Sequence, residues 1–244
     1  EGFAWVEKDG KWGFTDKNGK VVIEPQFDLV GDFSEGLALV KIDYKWGYID
    51  KNGKMVIEPQ FDWVRDFSEG FACVEKDGKW GYIDKNGKVV VEPQFDYARE
   101  FSEGFAQVKK DSKWGFIDKS GKMVIEPQFD EVSDFSEGLA QVNKGGEWQV
   151  LTQSIKGGKW GFIDKSGKVL IEPQFDHARD FSEGFAQVKK DGKYGFIDKS
   201  GKVVIEPQFD YVGDFSEGIA KVEKDGKWGF IDKNGKVVIE PQFD

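Results

Sequence analysis

Short apolar runs alternate along the chain with tight polar punctuation. The first three runs are Phe3-Ala4-Trp5-Val6-Glu7, Trp12-Gly13-Phe14-Thr15-Asp16 and Val21-Val22-Ile23-Glu24, separated by Asp9-Gly10 and Asn18-Gly19. Runs this short, bounded by turn residues, predict β-strands, and no segment carries a helical period. Asp-Gly and Asn-Gly predict two-residue type I′ hairpins, whose central residues both take φ > 0. Three strands and two such turns make an up-down-up meander.

The meander repeats. An aromatic-Gly pair recurs at Trp12, Trp46, Trp80, Trp114, Trp160, Tyr194 and Trp228, every 34 residues except for one interval of 46. EPQFD stands in all seven units and FSEG at six junctions, which delimits units 1–34, 35–68, 69–102, 103–136, 137–182, 183–216 and 217–244 of a single repeat domain. Asp43-Tyr44 and Asp111-Ser112 replace Asp-Gly in two units. Those tips are expected to be strained or to use another turn type. The twelve extra residues read as a tandem duplication, since KGGEWQVLTQSI (144–155) matches KGGKWGFIDKSG (156–167) at Lys, Gly, Gly, Trp and Ser. Gln149 stands where the pair has Gly, so that stretch is expected to depart from regular strand packing.

Two-residue turns set the register. Trp5, Phe14 and Ile23 fall on one face with Trp12 and Pro25; Ala4, Val6, Thr15 and Val22 fall on the other with Gly13. Both faces are apolar, whereas a sheet with one wet side alternates. Each meander must therefore be covered by its neighbours, large aromatics against small residues, with Gly13 leaving room for an adjacent ring. The lysines of KNGK are expected to flank a hairpin tip in water. FDLV, FDWV and FDYA (from Phe27, Phe61 and Phe95) supply a short fourth strand. Four antiparallel strands per unit predict a blade, and seven units an all-β, seven-bladed β-propeller. Pro241-Gln242-Phe243-Asp244 then reads as the opening of a first strand that completes the N-terminal blade. An open β-superhelix of stacked meanders fits the same pattern.

Composition supports a folded repeat protein: 39% of the 244 residues are hydrophobic and 15% aromatic. A net charge of −10 repels phosphate backbones and anionic surfaces, which argues against nucleic acid and membrane partners. No apolar run reaches the ~20 residues of a membrane span. The opening EGFAWVEKDG lacks a signal-peptide layout. Cys73 is the one cysteine and His177 the one histidine. The first reads as a small strand residue and the second as a surface side chain.

K-W-G-F/Y-I-D-K-N/S-G-K followed by I-E-P-Q-F-D resembles the bacterial WG-repeat family, also called KWG repeats, over all seven units; Tyr194 departs from its Trp. The resemblance implies a binding or scaffold module, exported or at the bacterial surface, with no shared catalytic residues.

Residues repeated in nearly every unit serve what every unit needs. Asp16, Glu24, Asp28, Asp32 and Glu35 are thus expected to cap turns and bond backbone N–H groups rather than catalyse. Ser34 and Ser68 of DFSEG lack the setting of a nucleophile and read as turn residues. Asp50, Asn52 and Glu58 loosely resemble a calcium loop but span too few residues. One Cys and one His make no zinc set, so neither metal nor cofactor is expected. Function is sought where the units differ. One variable cluster follows FD: Trp63, Arg65, Tyr97, Arg99, His177, Arg179 and Tyr211. A second follows EGFA: Trp5, Leu39, Cys73, Gln107, Gln141, Gln187 and Lys221. The first is rich in the residue types of binding hot spots, and both are expected on one rim. The insertion offers an arm, with Trp148, Val150, Leu151 and Ile155. The sequence therefore predicts a non-enzymatic scaffold that engages a protein or glycan. The alternatives are a self-associating, fibre-forming protein and a calcium-dependent lectin or enzyme using rim carboxylates.

Overall fold

The computed structural model describes residues 2–149 and 154–243. Among them the chain forms twenty-seven strands and no helix. The first sheet has the order β1 (Phe3–Lys8), β2 (Lys11–Asp16), β3 (Val21–Phe27). The second adds a leading strand: β4 (Leu29–Ser34), β5 (Leu37–Ile42), β6 (Lys45–Asp50), β7 (Met55–Phe61). Five more four-stranded sheets repeat that order over 63–95, 97–129, 131–175, 177–209 and 211–243. The fold is all-β and propeller-like, built of antiparallel blades. The chain divides into two compact units, Glu1–Ser112 with Phe116–Met123, and Lys113–Gly115 with Val124–Asp244. Each is described by itself.

Two of the three turns in a sheet are type I′. Asp9 and Gly10 have φ of 52° and 75° between the paired Lys8 and Lys11. Glu35 and Gly36, at 51° and 90°, join β4 to β5 in the same way. Tyr44 and Ser112 keep this turn at φ of 68° and 65°. They carry strain rather than adopting another turn type. The KNG turn differs from expectation. Asn18 is not in the left-handed region; only Gly19 is, at 79°. Gly19 N donates to Asp16 O (3.0 Å) and Asp16 N to Lys20 O (2.9 Å). This is a three-residue loop, a type I turn closed by a left-handed glycine. The Asp16 carboxylate accepts from the N–H groups of Asn18 and Lys20. Ser serves at the Asn position in KSGK because that residue never needs φ > 0.

The last strand bulges. Phe14 pairs with Ile23, yet Trp12 pairs with Phe27, so β3 carries extra residues through Glu24-Pro25-Gln26. Proline, lacking an N–H, fits such a break in the ladder. The bulge presses on Gly13: a Cβ there would lie 2.3 Å from Ile23 O and 2.7 Å from Pro25 N. The WG glycine makes room for its own sheet's backbone, not for a neighbouring ring. PQF likewise ends the last strand instead of opening a first one, and Phe243 pairs with Trp228.

Within each unit sheets pack face to face, large against small. Phe14, Ile23 and Phe27 of the first sheet meet Phe33, Ala38, Val40 and Ile49 of the second. In the second unit Phe196, Ile205 and Phe209 meet Val212, Phe215, Ala220, Val222 and Ile231. Each buried ring contributes about 1.5–3 kcal/mol. The KNG tip joins this junction, since a Cβ on Gly53 would sit 3.1 Å from Ile23 of the preceding sheet.

Polar clamps fix both ends of the strands. At the end bearing the KNG turn, Glu35 accepts from Gly70 N (3.0 Å) and pairs with Lys85 (2.9 Å), both on the next sheet. Glu69–Lys119, Glu137–Lys199 and Glu183–Lys233 repeat the pair. The first lysine of KNGK is thus a clamp and does not merely flank a tip in water. At the other end Asp28 accepts from Lys11 (2.5 Å) on its own sheet and from Asp43 N (2.9 Å) on the next. The FSEG serine also crosses: Ser34 Oγ donates to Phe67 O and Ser68 Oγ to Phe101 O, each at 2.8 Å. Asp16, Asp28 and Glu35 bond backbone N–H groups, as their repetition implies.

Three outcomes follow. Gly81→Ala, whose Cβ would fall 2.4 Å from Val91 O, destabilises by about 3 kcal/mol in denaturant titration. Tyr44→Gly relieves a left-handed backbone and stabilises by up to about 1 kcal/mol. Lys11, then the Asp43 N–H, holds Asp28 below the usual carboxylate range, and Lys233 does the same for Glu183. A folded pKa below the unfolded one means the unfolded chain gains protons first on acidification. The clamps are therefore fully stabilising above the ordinary carboxylate pKa and are lost as pH falls through the folded values. The thermal midpoint should hold near neutrality and drop once pH passes below about 4.

Candidate functional site

The variable positions after FD open each leading strand, and Asp62 N anchors the start by donating to Glu75 O (2.9 Å). In the first unit Trp63 follows, 51% exposed. Its ring lies edge-on to Trp46 of the preceding sheet, centroids 6.1 Å apart. Tyr97 occupies the same place one sheet on, 5.6 Å from Trp80. The variable aromatics thus cover the rims of Trp46 and Trp80 while keeping an edge in solvent.

Arg65 ties this region together. Its guanidinium sits 5.6 Å from the centroid of Trp80 and 5.3 Å from that of Tyr97. Nη1 donates to Glu100 Oε1 (3.1 Å) and Nη2 to the Tyr97 hydroxyl. Arg99 donates to Gln107 Oε1 (2.7 Å). The backbone carbonyls of both arginines accept from tyrosines of preceding sheets, Tyr48 at 2.7 Å and Tyr82 at 2.8 Å. Both tyrosines stand where the other units have Phe. Burial, then Asp32 and Glu100, raises Asp66 above the usual carboxylate range.

In the second unit His177 and Arg179 line a groove of about 340 Å³ with Gln141, Asp180, Ser182 and Asp214. Gln141 Nε2 donates to Asp180 Oδ1 (2.6 Å), and Gln187 donates to Asp214. Partial burial, then Arg179 and Lys189, holds the His177 imidazole below the ordinary histidine value. Donors and acceptors thus stand side by side in a shallow polar slot. Tyr211, on the following sheet, contacts Tyr194 (6.2 Å) and Trp228 (5.6 Å).

The second variable cluster does not form a rim. Cys73, Gln107, Gln141 and Gln187 are buried, although Trp5 and Lys221 are exposed. Mid-strand, these side chains point into the junction, where size must match the leading strand. A Cβ on Gly31 would lie 2.6 Å from Leu39 Cγ. Sequence reasoning missed the acceptors Glu100, Asp180 and Asp214; the Gln recurring at 141 and 187 is the signal that points to the two aspartates, and Arg65 is the one that points to Glu100. The insertion lengthens one hairpin, Leu139–Gln149 against Ser154–Asp164, paired as far as Gln149↔Ser154. Trp148 and Ile155 pair in that ladder, while Val150 and Leu151 lie outside the described residues. Gln149 is regular strand after all: the last strand of this sheet reaches only Trp160, so no bulge demands a glycine beside it. Among the described residues no group of three or more His, Cys, Asp or Glu is placed to hold a metal ion, and no helix is long and apolar enough to cross a membrane.

The model of the WG containing repeat matches residues 1–12, 12–46, 46–80, 80–114, 114–148, 160–194, 194–228 and 228–244. The chain belongs to the WG-repeat family. Only 149–159, within the lengthened hairpin, falls outside the WG-repeat matches. No curated protein matches the chain. Among solved structures, a eukaryotic initiation factor is similar at 11% identity and a TM-score of 0.51, over 97% of this chain and 73% of that one. Kluyveromyces lactis Hsv2p is similar at 10% identity and 0.43, over 84% and 74%. The Neurospora crassa Pan2 WD40 domain is similar at 13% identity and 0.39, over 91% and 82%. At 11% identity the likeness to the initiation factor speaks to fold alone.

Two measurements check the site. Tyr82→Phe leaves the Arg99 carbonyl without its donor and costs about 1–2 kcal/mol in denaturant titration. Cys73 is fully buried and burial raises its thiol well above the ordinary value. A thiol reagent should leave the native WG-repeat protein unlabelled and label it once unfolded.

Proposed function

We propose that this WG-repeat chain is a non-enzymatic binding module that takes a protein or glycan partner on the side chains opening its leading strands. One observation carries the reading. Sequence varies among the units where side chains keep an exposed edge, at Trp63, His177, Arg179 and Tyr211, while the packed Phe27 and Phe33 positions are Phe in every unit that carries them. Trp, Tyr and Arg are the types that dominate binding energies. Trp63 offers an aromatic edge, and the His177–Arg179 groove offers a cation beside two carboxylates. Such a set suits sugar hydroxyls or an extended peptide backbone. The recurring Asp28 and Glu35 carboxylates are engaged in clamps, which supports a structural role for them.

Glycan and peptide arrays probed with labelled protein test this. Wild type should mark a restricted set of spots. Trp63→Ala or Arg179→Ala should weaken the signal at least about tenfold, as loss of a hot spot does, with an unchanged thermal midpoint. Equal signals from wild type and both variants would remove the reading.

A further inference from the structure

Tyr44 stands at a hairpin tip where folding gives its side chain nothing in return. It takes the second position of a type I′ turn at φ 68°, where Gly10, Gly78, Gly192 and Gly226 stand in other units. A bulky residue in that conformation is strained. Yet Tyr44 is 86% exposed, and among the described residues its ring makes no aromatic contact and its hydroxyl no hydrogen bond. Strain without a packing gain points to a role outside the fold. Ser112, at the equivalent place in another unit, shares the strain and carries no ring.

Tyr44 walls a groove of about 350 Å³ with Asp28, Leu29, Lys41 and Asp43, all within the first compact unit. The backbone fixes this set. Leu29 pairs with Lys41 across β4 and β5, and Asp43 N donates to Asp28 Oδ2 (2.9 Å), which holds the tip against the start of the leading strand. Asp28 is also engaged by Lys11. Among the described residues neither the Asp43 carboxylate nor the Lys41 ammonium is held in an ion pair; Lys41 Nζ lies 5.3 Å from the centroid of the Trp46 ring. Leu29 is 46% exposed. The groove thus offers an open aromatic ring, an aliphatic wall, one acceptor carboxylate and one donor ammonium. The next units do not reproduce it: Trp63 goes with Glu75 and Gly78, Tyr97 with Lys109 and Ser112.

We infer that this groove is a subsite for a neutral pyranose ring of a glycan. The inference rests on the binding-module reading, since Leu29 opens a leading strand, and adds to it a separate groove and a ligand class. A pyranose presents a face of C–H groups and a rim of hydroxyls. The face suits the Tyr44 ring and Leu29, and the hydroxyls suit Asp43 as acceptor and Lys41 as donor. One carboxylate and one ammonium offset each other, so the groove favours a ligand without net charge. A peptide added as a strand needs an open ladder, whereas β5 is paired on both sides and the Asp43 N–H is bonded to Asp28.

Saturation-transfer NMR and calorimetry on the full chain test this. The probes are neutral hexasaccharides of β-linked glucose, galactose and mannose, with hexagalacturonate and a random-sequence peptide array as the competing classes. At least one neutral hexasaccharide should bind, with saturation reaching its ring C–H groups. Tyr44→Gly should weaken that binding at least about tenfold while the thermal midpoint rises. Tyr44→Phe should keep the binding, because the ring makes the contact. Lys41→Met should weaken it about threefold to tenfold, as loss of one hydrogen bond does. Ser112→Gly relieves the same kind of turn strain and should leave binding unchanged. Failure of every neutral hexasaccharide to bind overturns the inference, as does binding confined to hexagalacturonate or to peptides. Hexasaccharide binding that survives Tyr44→Gly but is lost with Trp63→Ala overturns this inference and leaves the binding-module reading standing.

Discussion

No sheet in this protein can face water on both sides. Phe14, Ile23 and Phe27 on one face and Ala38, Val40 and Ile49 on the other have apolar or aromatic counterparts in every unit, Thr15 excepted. The hydrophobic effect drives sheets together but does not orient them, because it has no direction. Orientation comes from the contour of large side chains against small ones, and from clamps at both ends of the strands. Asp28 links a lysine of its own sheet to a turn N–H of the next; Glu35 links a turn N–H to a lysine two turns away on that next sheet. Such exposed pairs are individually worth little. Their effect is to fix which sheet face meets which, and at what offset.

The charge pattern follows from that role. A chain with 45 acids against 35 bases would read as a polyanion, yet many of its carboxylates are held close to lysines and turn N–H groups. Acidity matters most where the clamps do not reach. Asp66, partly buried near Asp32 and Glu100, is a carboxylate whose proton affinity rises instead of falling. Arg65, stacked between Trp80 and Tyr97, places its positive charge against Glu100 there.

Much of this was legible in the sequence, and what was not has a common cause. The strands, the Asp-Gly turns, the fourth strand after FD and the large-against-small packing all follow from local pattern. The KNG turn did not, because Asn-Gly serves both a two-residue loop and a three-residue one; Asp16, which selects the second, lies just outside the pair. Gly13 was legible as a small residue, but the backbone that needs the space belongs to a bulge made by Pro25 twelve residues on. Ser34 and Lys85 looked like turn and surface residues, yet their partners lie on the adjacent sheet. Short-range signals survive translation into structure. Contacts between sheets need the stacking offset, which a repeat states only as sameness.

Sameness also explains where diversity is tolerated. Residues inside a junction must match a neighbour that is itself a copy, so change there needs a compensating change one repeat away. The pairing of Gln141 with Asp180, and of Gln187 with Asp214, each on the following sheet, shows how little freedom such positions have. Trp63, Tyr97 and Tyr211 escape this. Each covers the rim of a preceding aromatic with one edge and leaves the other edge outside. Covering a rim asks only for some bulk, which Trp, Tyr, Leu29 and His177 all supply, so identity at this position is free to answer to something beyond the fold. A repeat array whose core cannot vary thus keeps one row of side chains whose chemistry can be exchanged without disturbing the stack.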